Sequence, residues 1–143
     1  MKTINKMLIR LEGYRQHPYK CTEGKLTCGI GRNLDDKGLS FEESCYLADN
    51  DLKECLEEAS KFDWFQRLDQ YREDAVLLMI FQLGVGGFKK FKKMIAAIED
   101  KNWPLAAAEM LDSLWAKQTP QRAQDMAFMM EFGAYPEWVK SLS

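Results

Sequence analysis

The chain has 143 residues, 46% hydrophobic and 12% aromatic, which suits one domain or two lobes that do not fold independently. A net charge of −2 excludes an overall electrostatic drive toward nucleic acid, and no stretch approaches the about 18 consecutive apolar residues of a membrane span. The four cysteines form no Cys-x-x-Cys pair and the single histidine, His17, has no partner at metal-ligand spacing, so no metal or other cofactor is expected.

The start, "MKTINKMLIRLEG", shows neither a continuous apolar signal core nor a small-residue cleavage site, and is expected to stay in the compartment where it is made. Thr3 reads as an N-cap, followed by Ile4, Met7, Leu8 and Leu11 at helical spacing, with Gly13 as the stop. The first helix is therefore expected over about 4–12, with Glu12 in its last turn. "HPYKCTEGKLTCGIG" reads as a tight hairpin with its turn centred on Gly24. That centre pairs Cys21 with Thr27 on one face and sets Cys28 opposite Lys20 on the other. Gly29 and Gly31 around Ile30 predict a bend where the backbone approaches something closely. "NLDDKG" is expected to be a loop.

Ser40 and Glu43 have the spacing of a capping box, opening a helix to about 59 with Cys45, Ala48, Leu52, Cys55 and Leu56 as its apolar stripe. Cys45 and Cys55 then lie about 15 Å apart along one helix, too far for a disulfide, and reduced thiols in a cytoplasm fit best. Everything after residue 60 reads helical. "YREDAVLLMIFQLG" is apolar nearly all round, the mark of a central bundle helix, and Gly84, Gly86 and Gly87 end it. A basic amphipathic helix follows from Phe88 to about Glu99. "NWPLAAAEMLDSLWAKQ" is expected as one helix, and "TPQRAQDMAFMMEFG" opens with Thr119 at the N-cap and Pro120 at the first helical position. "YPEWVKSL" is a short terminal helix. The class is α+β: a small antiparallel sheet lobe over about 13–39, a connector helix over 40–59, and a helical lobe over 60–143 that includes the N-terminal helix, all within one domain.

Glu12 is the first candidate for chemistry. At the negative end of the helix macrodipole ionisation is disfavoured, and a carboxylic acid kept protonated is what a general acid needs. Cys21 and Thr27 add a thiol and a hydroxyl on one face of the hairpin. The "FKKFKKM" run reads as a solvated face over core aromatics, or as attraction to an anionic wall or membrane surface.

Glu12, Cys21 and Thr27, separated by eight and five residues, match the Glu–Asp–Thr spacing of the phage-type lysozymes, the endolysins or muramidases. Further blocks resemble the family in its order: "LEG" at 11–13, "YKCTEGKLTCGIG" at 19–31, "FQLG" at 81–84, "GGF" at 86–88 and "WAKQTPQRA" at 115–123. The resemblance covers nearly the whole chain. It implies a two-lobed fold with a cleft between the lobes and hydrolysis of the β-1,4 bond between N-acetylmuramic acid and N-acetylglucosamine in peptidoglycan. By that analogy Glu12 is the general acid, Thr27 positions water or a substrate group, and Phe81 and Gln82 line the cleft. Arg122 matches an arginine that pairs with the catalytic glutamate, and Arg32 and Asp51 match a basic–acidic pair that ties the sheet lobe to the connector.

Two departures from the family pattern stand out. A short helix between the sheet and the connector is expected to be missing, with "RNLDDKGLSFEE" passing directly across. Cys21 replaces the usual aspartate. A thiol there acts as base or nucleophile, or merely places water as a polar group, or leaves an attenuated protein that binds peptidoglycan without turnover. A helical interaction protein with a coincidental triad is the third reading. As an endolysin the protein would be a monomer made in the host bacterial cytoplasm. It would act on the wall after release through a holin-type membrane lesion, with no stable membrane insertion and no nucleic-acid partner.

Overall fold

Thr3–Glu12 form the first helix, α1, closed by Gly13 donating its N–H to the Ile9 carbonyl at 2.8 Å. Thr3 is the first helical residue and not the cap. Lys2 holds the cap position and makes no side-chain bond to the helix. The computed structural model describes residues 1–142, in which an α+β chain divides into two compact units, Met1–Leu47 and Ala48–Ser143.

In the first unit, strands β1 (Arg15–Lys20), β2 (Leu26–Gly29) and β3 (Arg32–Asn33) form an antiparallel sheet in that order. Tyr19 pairs with Thr27 and Lys20 with Leu26, so the expected pairing of Cys21 with Thr27, and of Cys28 with Lys20, is displaced by two residues. The cause is the turn. Cys21 takes its N–H to the Lys25 carbonyl at 2.9 Å and accepts the Gly24 N–H at 2.8 Å, which centres the hairpin on Glu23. Side chains alternate with a period of two, so a two-residue slip leaves Cys21 and Thr27 on the same face. The register shifts again between Arg15 and Tyr19, around Pro18, which has no N–H to donate.

Leu34–Lys37 form a short helix, α2, where a loop and a missing helix were expected. Asn33 caps it, its side chain accepting the Asp36 N–H at 3.1 Å, and Gly38 returns its N–H to Leu34. The Asn33–Asp36 spacing carried that signal. Helix α3 (Phe41–Ala59) starts at a reciprocal capping box. Glu43 N–H bonds the Ser40 hydroxyl at 3.1 Å and Ser40 N–H bonds the Glu43 carboxylate at 2.8 Å. Only Cys55 and Ala59 of α3 are buried; Cys45, Leu52 and Leu56 of the expected stripe are exposed. A stripe is buried only where something covers it. Here cover comes near the end of α3, where Cys55 and Ala59 join Trp64 and Phe65 in the core.

The second unit is helical. α4 (Gln70–Lys89) is broken at Gly84, whose φ of 72° lies outside the helical region. Residues 88–91 finish that helix and a turn, so the basic helix, α5, begins at Lys92 and not at Phe88, and runs to Glu99. The next segment is two helices, α6 (Trp103–Leu111) and α7 (Leu114–Gln118), because Ser113 accepts the Ala116 N–H and caps a new start. α8 covers Pro120–Phe132; Thr119 precedes it but spends its hydroxyl on the Trp115 carbonyl. The terminal segment Glu137–Ser141 is a 3-10 turn.

The apolar core lies in this unit, built on Val76, Met79, Phe88, Met94, Ile98, Met110 and Met130. Met126, Met129 and Met130 of α8 are inside, whereas Phe128 and Phe132 pack on each other with tilted rings at the surface. The lysines of "FKKFKKM" are exposed over buried Phe88 and Met94, the solvated-face arrangement. Arg72 closes α8 by donating to the Met130 and Glu131 carbonyls at 2.7 and 3.1 Å while stacking on Trp103.

Candidate functional site

The first unit holds Glu12, Cys21 and Thr27. Glu12 is the last residue of α1, an exposed carboxylate. Its side chain lies against Gly31 in the β2–β3 bend. A methyl group on Gly31 would sit 2.8 Å from Glu12 Oε2 and 3.2 Å from its Cβ and Cγ. Gly31 also has a φ of +68°. The close approach predicted for this glycine pair is therefore to the candidate acid, and it comes from the second glycine.

Cys21 opens the hairpin turn, half-buried and free. A main-chain hydrogen bond from Lys25, then one from Glu23, hold its thiol below the ordinary range, with the Thr27 hydroxyl adding to the effect; desolvation and the Glu23 carboxylate oppose it. The lowered value leaves more of the thiol ionised near neutral pH than in a free cysteine, although each thiolate is then the weaker base. Thr27 is 5% exposed, the one buried residue among residues 1–47, and its hydroxyl donates to the Lys25 carbonyl at 3.0 Å. So the structure brings Cys21 and Thr27 together and packs Glu12 on the bend at the other end of β2. Cys28 turns its thiol toward the Arg15 and Gln16 carbonyls, away from such chemistry.

Within the first unit Arg32 is paired with Glu43. Its guanidinium grips both carboxylate oxygens of Glu43 and donates to the Gly38 carbonyl at 3.2 Å. The reason is local: the capping box already aims the Glu43 carboxylate back toward Ser40, within reach of β3. The Ser40 main-chain bond first, then Arg32, hold the Glu43 carboxyl below the usual range.

In the second unit Phe81 and Gln82 are neighbours on α4. Phe81 is exposed and lines a groove of about 380 Å³ with Asp51, Glu54, Cys55 and Glu58. Gln82 accepts the Trp115 indole N–H at 2.8 Å, which fixes its amide. Arg122 is exposed on the first turn of α8. An apolar cavity of about 730 Å³ is walled by residues such as Leu56, Leu77, Met129 and Trp138 and contains none of the expected site residues. Sequence reasoning missed the supporting role of Trp115 and the pairing of Glu43 with Arg32. Glu43 was visible as a cap, but nothing in the sequence ties Trp115 to a glutamine 33 residues away.

Comparison with known proteins gives a consistent result. The sequence profile of the family described as Phage lysozyme matches residues 9–127. Probable T4-type lysozyme 2 of Dictyostelium discoideum is 30% identical over 96% of this chain and 99% of its own length. Probable T4-type lysozyme 1 of the same organism is 31% identical over 93% of this chain and 96% of its own. The pre-baseplate central spike protein Gp5 of Enterobacteria phage T4 is 28% identical over 92% of this chain but only 28% of its own length.

Proposed function

The chain belongs to the phage lysozyme family and is a peptidoglycan-degrading hydrolase, and on that premise we propose that it cuts the β-1,4 bond between N-acetylmuramic acid and N-acetylglucosamine and so lyses a bacterial host. Glu12 gives its proton to the leaving glycosidic oxygen. The Cys21 thiolate takes a proton from water as that water attacks the anomeric carbon, and Thr27 holds the turn that aims the thiol. Phe81, Gln82 and Arg122 bind the glycan chain. No cofactor enters this scheme.

What supports the assignment of Glu12 is its packing against Gly31, where the chain adopts a left-handed φ and admits no side chain. Among the described residues no helix is long and apolar enough to cross a membrane. By its resemblance to the endolysins, the same reading has a monomer reach the wall through a holin-type membrane lesion. Digestion of purified peptidoglycan followed by borohydride reduction tests the bond. Reduced N-acetylmuramic acid at the new ends supports the proposal, and reduced N-acetylglucosamine refutes it.

A further inference from the structure

Helix α2 has no part in the scheme above, yet its bonds run back to the turn that carries Cys21. Asp35 accepts the Leu26 N–H at 2.7 Å. Asp36 takes the Lys25 ammonium at 3.0 Å. The helix is itself fixed: Asn33 caps it, and β3 just before it pairs with β2 through Thr27–Asn33 and Cys28–Arg32. The chain thus leaves β2, bends, and returns to clamp the first residue of the strand it left.

Lys25 is the link. Its carbonyl accepts from both Cys21 N–H and the Thr27 hydroxyl, and its side chain is held by Asp36. The place of that carbonyl, and with it the turn that carries the thiol, depends on the peptide planes either side of Lys25. The next N–H along, that of Leu26, is anchored by Asp35. Leu26 pairs with Lys20 on one side of β2, and the Asp35 carboxylate holds the strand from outside the sheet.

We infer that α2 is a positioning element for the catalytic turn, with Asp35 the positioning residue that keeps the Lys25–Leu26 peptide, and so the Cys21 turn bonded to it, in place. This rests on the proposed role of Cys21, but the geometry can be read from the thiol without turnover. The charged groups facing the thiol and its turn are Glu23 and Lys25 on the hairpin, with Asp35 and Asp36 of α2 acting on Lys25. Asp35 acts through the main chain, so its hydrogen-bond acceptor matters more than its charge.

The test is labelling of Cys21 by iodoacetamide, followed by peptide mass spectrometry across pH 5–9, on the full chain. Asp35→Ala should slow labelling at pH 7 by about five- to tenfold and move its pH profile upward, as expected when the main chain around a thiol that favours its ionised form is loosened. It should lower kcat by about tenfold with KM little changed. Asp35→Asn keeps an acceptor oxygen and should restore both. If Asp35→Ala does not fold, Asp35→Glu, which displaces the acceptor by one methylene, should still slow labelling. A folded Asp35→Ala or Asp35→Glu protein whose Cys21 labels like the parent overturns the inference, as does Asp35→Asn behaving like Asp35→Ala. Should Cys21→Ala keep full clearing activity, the role of Cys21 fails, while the labelling profile still decides whether Asp35 positions the thiol.

Discussion

Replacing Gly31 by alanine separates backbone strain from damage to the acid. A left-handed φ costs a residue with a Cβ about 1–2 kcal/mol, which lowers the melting midpoint of a chain this size by roughly 2–8 °C. Gly29 provides the matched control, with a φ of +67° and nothing within 4 Å of an added methyl. Gly29→Ala should therefore show the thermal loss alone. At Gly31 the new Cβ falls 2.8 Å from Glu12 Oε2 and 3.2 Å from its Cβ and Cγ, inside the 3.4 Å at which ordinary contact begins. The carboxylate can swing away, but the root of the side chain cannot without moving the end of α1. Relief takes a few tenths of an ångström at that root, and since a misplacement of about 1 Å costs about 100-fold in rate, Gly31→Ala should lose up to about tenfold. Clearing of a peptidoglycan suspension well below both melting midpoints measures this. If Gly31→Ala and Gly29→Ala retain activity within threefold of each other, the Glu12 contact has no catalytic weight.

The Glu43 carboxyl is held low when folded, so its contribution to stability is complete above its unfolded value near 4.5 and is lost as pH falls through the depressed folded value. Glu43→Gln should flatten the acid limb of the melting midpoint below about pH 4.5, and an unchanged limb would remove the Arg32–Glu43 pair from the stability of this unit. At Cys21, Cys21→Asp should keep substantial clearing activity with a lower pH optimum, while Cys21→Ser should lose at least about tenfold, because a hydroxyl is not ionised near neutral pH. Equal activity of the serine and cysteine proteins would reduce Cys21 to a polar spacer. Exposed Cys45 also reacts with thiol reagents, so inactivation must be assigned with Cys45→Ser in place.

Signals confined to a few residues were legible in the sequence. The α+β class, the hairpin and the Ser40–Glu43 box rest on short-range chemistry, whereas the Glu12–Cys21–Thr27 spacing was read from its resemblance to the phage-type lysozymes. The hairpin centre was misplaced because a glycine can end a turn as well as centre it, and only the Cys21–Lys25 and Gly24–Cys21 bonds distinguish the two. Helix α2 was missed because its four residues are too short for an apolar period, although Asn33 and Asp36 marked its cap. Burial on α3 was overstated because periodicity shows which face is apolar and not how much of it is covered. The Trp115–Gln82 bond and the Arg72 clamp on α8 join residues far apart in the chain, and no local pattern announces either.

The central claim is that Glu12 donates the proton that breaks the glycosidic bond. Turbidity loss of a peptidoglycan suspension by the parent and by Glu12→Gln, each with circular dichroism to show the fold, tests it most directly. The amide keeps the size of the side chain and its place against Gly31 but has no acidic proton, so the rate should fall by about 100- to 10,000-fold with the melting midpoint nearly unchanged. A Glu12→Gln protein that clears within threefold of the parent would contradict the account, and a parent that binds the suspension without clearing it would leave a binding module in place of an enzyme.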